Sequence, residues 1–304
     1  VSAKAICAAM LGGDEYPSTA IGINLPNADW IRAQHGSKSI TISNLTDAYS
    51  KVAKGNGMLE EFVIDADTVA MIRKYGDICD ELHTDLHECL GHGSGQLLPG
   101  TSPDALKAYG NTIEEARADL FGLYYIADRK LVELGLLNDA EAYKSNYYTY
   151  VMNGLLTQLV RIKPGHCIEE AHMRNRALIA RWCLANGDAV SLVKRDGKTF
   201  VAVDDYEKLR ALFAKLLAEI QRIKSEGDYE AARQLVENYG VKIDSELHEE
   251  ILKRYKSLDI APYKGFINPV LKPVRDSDGN ITDIAVDYTE GYSDQMLRYS
   301  REYR

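Results

Sequence analysis

At 304 residues, with 45% hydrophobic and 27% charged positions, the chain is long enough to bury a sizeable core in one large or two smaller domains. A formal net charge of −9 argues against nucleic acid as a partner, because phosphate binding needs a basic surface. No run of 18 apolar residues offers a membrane span, so no membrane partner is expected.

The first residues, VSAKAICAAMLGGDEYP, carry a short apolar stretch without a basic n-region and do not read as a signal peptide. The start at Val1, inside ordinary domain sequence, suggests a piece of a longer polypeptide. Five cysteines (Cys7, Cys79, Cys89, Cys167 and Cys183) form an odd set without a C-x-x-C pair. That usage suits buried thiols in a reducing compartment, and the expected localisation is cytoplasmic.

In chain order, residues 1–60 read as short helices and loops, broken by Gly12-Gly13, Pro17, Pro26 and the KGNG of 54–57. From about Asp65 the apolar residues recur at three- and four-residue spacing, which predicts a long helix ending at the glycine-rich GSGQLLPG. Further helices are expected over 112–135, 140–162 and 168–186. A β-hairpin follows at 190–203, turning on Asp196-Gly197. Helical stretches then cover roughly 204–226, 228–239 and 244–257, followed by a second hairpin in PVLKPVRDSDGNITDIAVDY and a short terminal helix. The expected fold class is mainly α with two small β-hairpins, and nothing resembles a flexible interdomain linker.

The segment HECLGH, His87 to His92, departs by one residue from the H-E-x-x-H of helical zinc peptidases. On an ideal helix, residues five apart point about 140° away from each other, too far to share one ion. A single π-type turn absorbs one extra residue, and Gly91 would tolerate that distortion or let another backbone approach closely. His83 and His87 form a rival pair at regular i, i+4 spacing, but with no glutamate beside His83. Either pair is equally well read as core histidines bonding within the fold.

The segment NTIEEARADL, 111–120, supplies acidic candidates. Its bland reading is a helix start, with Asn111 as N-cap and Glu114 as its capping-box partner. That leaves Glu115 and Asp119 unexplained, one turn apart on one face. Glu115 as a ligand, with Asp119 behind it orienting a histidine ring, is a familiar arrangement. Glu169 and His172 form one E-x-x-H, but a di-iron carboxylate site needs two. His172 instead suits a cleft-facing polar group, with Arg176 one turn on. DSDGN is no calcium loop, because positions 6 and 12 are Ile281 and Asp287.

Together, HECLGH and EEARAD resemble the HEXXGH and EEXXA(E/D) motifs of the dipeptidyl peptidase III family of zinc metallopeptidases. GINLPNADWIR at 22–32 is similar to the family's N-x-P-N segment, and EEAHMRNR to its later histidine–arginine helix. The resemblance runs through essentially the whole chain but only the later, helical zinc-lobe portion of the longer, two-lobed family. It implies one Zn²⁺ held by His87, His92 and Glu115, Glu88 as the base acting on a zinc-bound water, and Asp119 orienting a ligand histidine. It further implies His172 as donor to the transition state with Arg176 beside it. Asn24 and Asn27 would hold the substrate's N-terminal region, with Lys272 and Arg275 facing its C-terminal end. The implied activity is release of dipeptides from the N-termini of oligopeptides. The alternative is a zinc-binding lobe with little activity without the first half of the family's chain, its expected partner. A helical interaction module with incidental histidines is a third reading.

Overall fold

The structure, a computed structural model, describes residues 2–9, 21–26, 29–45, 50, 54–260 and 267–302. Its centre is a bundle of long helices: α3 (Ala66–Leu86), α4 (Gly110–Ile126), α6 (Tyr143–Leu155), α7 (Ala171–Asn186) and α8 (Tyr206–Glu226). Shorter helices α2 (Met58–Phe62), α5 (Arg129–Glu133), α9 (Tyr229–Val236) and α10 (Ser245–Ser257) surround it. The expected mainly helical class is what the molecule has.

Helix α4 lies innermost. Ile113, Ala116, Leu120, Leu123 and Ile126 are all buried, and so are Arg117 and Asp119. A helix apolar on most of its circumference belongs inside a bundle, and α4 packs against α3, α7 and α8. Its polar members therefore need partners within the protein.

The helix starts are locally encoded. Asp65, Asp205, Asp228 and Asp244 each accept a hydrogen bond from a backbone N–H in the first turn they cap. Gly227, at φ 68°, ends α8 in the left-handed conformation that glycine adopts without strain. The expected 112–135 helix is two, because Asp128 caps a new start at α5. The expected 140–162 helix stops at Leu155 and runs on as a tight turn over Thr157–Arg161. The 168–186 helix begins only at Ala171, where the Glu170 side chain accepts from the His172 and Met173 N–H groups.

Both hairpins form. β4 (Val190–Arg195) and β5 (Lys198–Val203) turn on Asp196 and Gly197, both at positive φ. β6 (Val270–Arg275) and β7 (Ile281–Asp287) pair antiparallel across DSDGN. The last helix is α11 (Tyr292–Glu302).

The reading of residues 1–60 as helices and loops is corrected. β1 (Ser2–Ile6), β2 (Gly22–Leu25) and β3 (Lys38–Ile42) form a sheet in the order β1-β3-β2, with β1 parallel and β2 antiparallel to β3. A seven-residue helix, α1 (Asp29–His35), links β2 to β3. The alternating SKSITI run was the available strand signal. None of the helices among the described residues is long and apolar enough to cross a membrane. Cys79 and Cys183 are buried, whereas Cys7 and Cys167 are exposed, so only part of the expected thiol burial holds.

Candidate metal centre

Helix α3 does not stop at Leu86 but widens into one π-turn spanning His87–His92. That turn absorbs the extra residue. It brings the two imidazoles together, ring centroids 4.6 Å apart and nearly perpendicular. Gly91 allows the close approach: a Cβ there would stand 2.6 Å from Cα of Ala118 on α4.

A widened turn strains the usual carbonyl-to-amide ladder, and side chains from elsewhere supply donors to its carbonyls. Asn24 Nδ2 on β2 donates to Glu88 O at 3.2 Å, and Arg32 of α1 donates to His92 O at 3.0 Å. Arg117 donates to Gly91 O at 2.7 Å. The small sheet and α1 are thereby fastened to the π-turn.

Helix α4 lays three carboxylates against the two histidines. Asp119 Oδ1 lies 2.6 Å from His87 Nδ1, and Glu114 Oε1 lies 2.9 Å from His92 Nδ1. A carboxylate only accepts, so both Nδ1 atoms carry a proton, which leaves each Nε2 as the ring atom that a metal could take. Those Nε2 atoms face Glu115 Oε2, at 3.4 Å from His87 and 3.6 Å from His92. His172 Nδ1, from the start of α7, comes within 3.2 Å of the same oxygen.

These residues fit a metal. Ligand atoms on a tetrahedral zinc stand about 3.4 Å apart, given bonds near 2.1 Å. Glu115 Oε2 is buried and makes no hydrogen bond of good geometry, and the same holds for Glu88 Oε2. Two neutral imidazoles and a carboxylate form a donor set suited to zinc. Burial works to raise the Glu115 pKa, but the facing imidazoles outweigh it and hold the carboxyl far below its ordinary value. Burial likewise opposes protonation of His87, yet Asp119 and Glu115 push its pKa up to about 10, so without a metal the ring carries a second proton, which a bound cation would replace. A cation of some kind suits this pocket of negative charge.

The rival trio of His83, His87 and Asp119 also has ligand-type atoms close together. Its atoms are already engaged: His83 Nδ1 lies 3.2 Å from Asn146 Oδ1, and its Nε2 lies 3.4 Å from Asp119 Oδ1. Asp119 Oδ2 accepts from Tyr150 Oη at 2.7 Å and Asn175 Nδ2 at 3.1 Å. His83 thus helps hold Asp119, which holds His87.

Glu88 is buried beside this cluster, and burial raises its pKa. Gly22 of β2 abuts it so closely that a Cβ would stand 2.6 Å from Glu88 Oε1. Asn24 is buried and bonded to Ser37, Ser39 and the Glu88 backbone, while its Oδ1 has no partner among the described residues. Asn27 lies outside the described residues. Arg176 is half-buried on α7, one turn beyond His172. Lys272 and Arg275 sit on the β6–β7 hairpin, where Lys272 pairs with Asp287 and Arg275 donates to Gly279 O.

The helix-cap reading of Glu114 is corrected. α4 begins at Gly110, continuing from a tight turn over Lys107–Tyr109, so Asn111 lies inside the helix and caps nothing. Glu114 instead bonds His92, Arg117 and Lys224. The residues that sequence reasoning missed are Glu114, Arg117, Tyr150, Asn175 and Lys224. Only Glu114 had a sequence signal, its place one residue before a candidate ligand.

Two histidines across a π-turn, a glutamate from the next helix and a buried carboxylate alongside make up a candidate metal centre in a helical bundle. The model of Peptidase family M49 matches residues 16–107 and 100–257, and the chain belongs to that family, the dipeptidyl peptidase III family. Dipeptidyl peptidase 3 of Mus musculus is 28% identical over 267 residues, covering 74% of this chain and 36% of that protein. The Homo sapiens protein of the same name is 27% identical with the same coverage. Dipeptidyl peptidase III from Caldithrix abyssi superposes with a TM-score of 0.59 at 25% identity, covering 81% of this chain and 44% of that one. The structure from Corallococcus sp. strain EGB shares the fold at a TM-score of 0.62 and 24% identity, over 81% of this chain and 43% of its own. The chain therefore spans little more than a third of the length of the curated relatives it matches.

Proposed function

We propose that the chain carries the zinc centre of a peptidase that releases dipeptides from the N-termini of oligopeptides. His87, His92 and Glu115 would hold the ion. The observation that carries this reading is the convergence of two imidazole Nε2 atoms on the unbonded Glu115 Oε2, with each ring fixed from behind by a carboxylate. Zinc, when bound, acidifies water and polarises a carbonyl.

The remaining chemistry belongs to the protein. Glu88, whose pKa burial raises, takes the proton of the attacking water on its carboxylate and returns it to the departing amine. His172, on the edge of the cluster with its side chain 53% exposed, donates to the oxyanion that develops on the scissile carbonyl. Arg176 lends positive charge on the same helix face. Asn24 and Asn27 would meet the substrate's N-terminal region, in keeping with the unpaired Asn24 Oδ1. Lys272 and Arg275 would exchange their exposed hairpin partners for a substrate carboxylate, since surface ion pairs cost little to break.

The second reading, a zinc-binding lobe with little activity of its own, is favoured by length: the chain covers 36% of the mouse and human relatives. Positioning the substrate supplies much of a peptidase's rate, and the other cleft wall would come from the rest of such a protein. Hydrolysis of a dipeptidyl-arylamide by the zinc-loaded chain and by its Glu88→Ala variant tests the peptidase reading. The expected result is equal zinc content with a loss of turnover of about 10²-fold or more. Equal turnover in the two removes Glu88 as base. No turnover in either, with zinc bound, leaves the lobe reading.

A further inference from the structure

We propose that Arg117 is a positioning residue for the metal centre: one guanidinium ties Glu114 to the carbonyl of Gly91 and so fixes the ring of His92. This rests on the reading that His92 holds a metal.

Arg117 is fully buried in the bundle, where an unpaired charge would be costly. All five of its N–H donors have an acceptor. Nε donates to Glu114 Oε2 at 3.0 Å, and Nη2 to Glu114 Oε1 at 2.8 Å, a two-pronged grip on one carboxylate. Nη2 also donates to Gly91 O at 2.7 Å. Nη1 reaches Ser94 Oγ at 3.3 Å and Gln221 Oε1 at 3.5 Å.

The two principal partners lie on either side of His92. Gly91 is its chain neighbour inside the π-turn, and Glu114 Oε1 is the acceptor for its Nδ1–H. A rotation of the His92 ring must therefore drag Glu114 against a fork that is also bolted to the turn. Lys224 near the end of α8 approaches Glu114 Oε2 at 2.5 Å and adds charge, but without the planar fork. His87 has a different device, the Asp119, Tyr150, Asn175 and His83 network, so each histidine is oriented by its own set of groups.

The zinc affinity of the metal-free chain, measured by competition with a chromophoric chelator, tests this in the parent, Arg117→Lys, Glu114→Gln and the double variant. The Co²⁺-substituted visible spectrum is recorded alongside. Arg117→Lys should weaken zinc binding by about 10- to 100-fold and alter the cobalt bands while the far-UV circular dichroism stays that of the parent. In the Glu114→Gln background the same change should cost less than about threefold more, because the two groups act as a unit. Parent-like affinity and spectrum in Arg117→Lys overturns the proposal, as do losses that simply multiply. If Arg117→Lys does not fold, the paired change Ser94→Ala with Gln221→Leu removes both Nη1 acceptors and leaves the guanidinium in place. It should weaken zinc binding by about threefold or more, and unchanged affinity there is the contradicting result. A parent that binds no zinc at all defeats the metal reading itself, a distinguishable outcome.

Discussion

A methyl group on Gly91 would stand 2.6 Å from Cα and 2.7 Å from Cβ of Ala118, both on the fixed frame of α4. Gly91→Ala must therefore push the π-turn off α4, and overpacking of this kind costs about 1–3 kcal/mol. Denaturant unfolding should report that loss, together with a fall in zinc affinity, because the turn aims both histidines. Unfolding and zinc binding like those of the parent would mean that the turn tolerates displacement. The residue spacing H-E-C-L-G-H was legible in sequence because it conflicts with an ordinary helix, and only a widened turn reconciles it. The groups behind the histidines were not. Lys224 is 110 positions from Glu114, and Tyr150 is 31 from Asp119, so nothing in local periodicity joins them. Glu114 was visible but misassigned, because an acidic residue near a helix start has a sufficient local explanation.

At the level of elements, α10 is tied to the rest by Arg254. This side chain is 5% exposed and bonds Glu61 of α2 at 2.8 Å and Glu250 at 3.1 Å. It also donates to the carbonyls of Glu61 and Thr199, the latter on β5, and lies over the rings of Phe62 and Phe200. Arg254→Met should destabilise the protein by about 1–3 kcal/mol near neutral pH, since it removes a buried donor shared by two carboxylates that then keep only Lys198 and Thr199 as partners. Burial works to raise the Glu61 pKa, but Lys198 and Arg254 outweigh it and hold it below the ordinary 4.5. Burial opposes the Glu250 shift in the same way, and hydrogen bonds from Thr199 and Arg254 again win. A carboxyl lowered by folding stabilises the fold above its unfolded pKa and loses that contribution as pH falls through the folded one. Unfolding free energy should therefore drop below about pH 4.5 in the parent and more shallowly in Arg254→Met. Parallel pH profiles would contradict the assignment. The helices of this region were readable from periodicity and aspartate caps. The N-terminal sheet was missed because its strands are only four or five residues long and β1 pairs with β3 across more than thirty positions.

For the whole molecule, the helical bundle contains every residue proposed to hold the ion. Of the groups proposed to meet substrate, those among the described residues lie on β2, α7 and the β6–β7 hairpin. The hairpin exposes Leu271, Val274, Ile281, Ile284 and Val286. A chain covering 36% of its curated mammalian relatives is thus expected to separate two properties, metal binding and peptide turnover. Zinc should bind to this chain as tightly as to a longer relative, within about tenfold, while turnover should be lower by a larger factor. Titration of both proteins under one buffer checks this, and a much weaker zinc site in the shorter chain would show that the centre needs parts of the relatives that this chain does not span. The central claim is that His87, His92 and Glu115 form one metal site. Elemental analysis of zinc-equilibrated, dialysed protein tests it most directly: one zinc per chain is predicted for the parent and for Glu88→Ala, and close to none for Glu115→Ala. A parent without stoichiometric zinc, or a Glu115→Ala variant that retains it in full, contradicts the account.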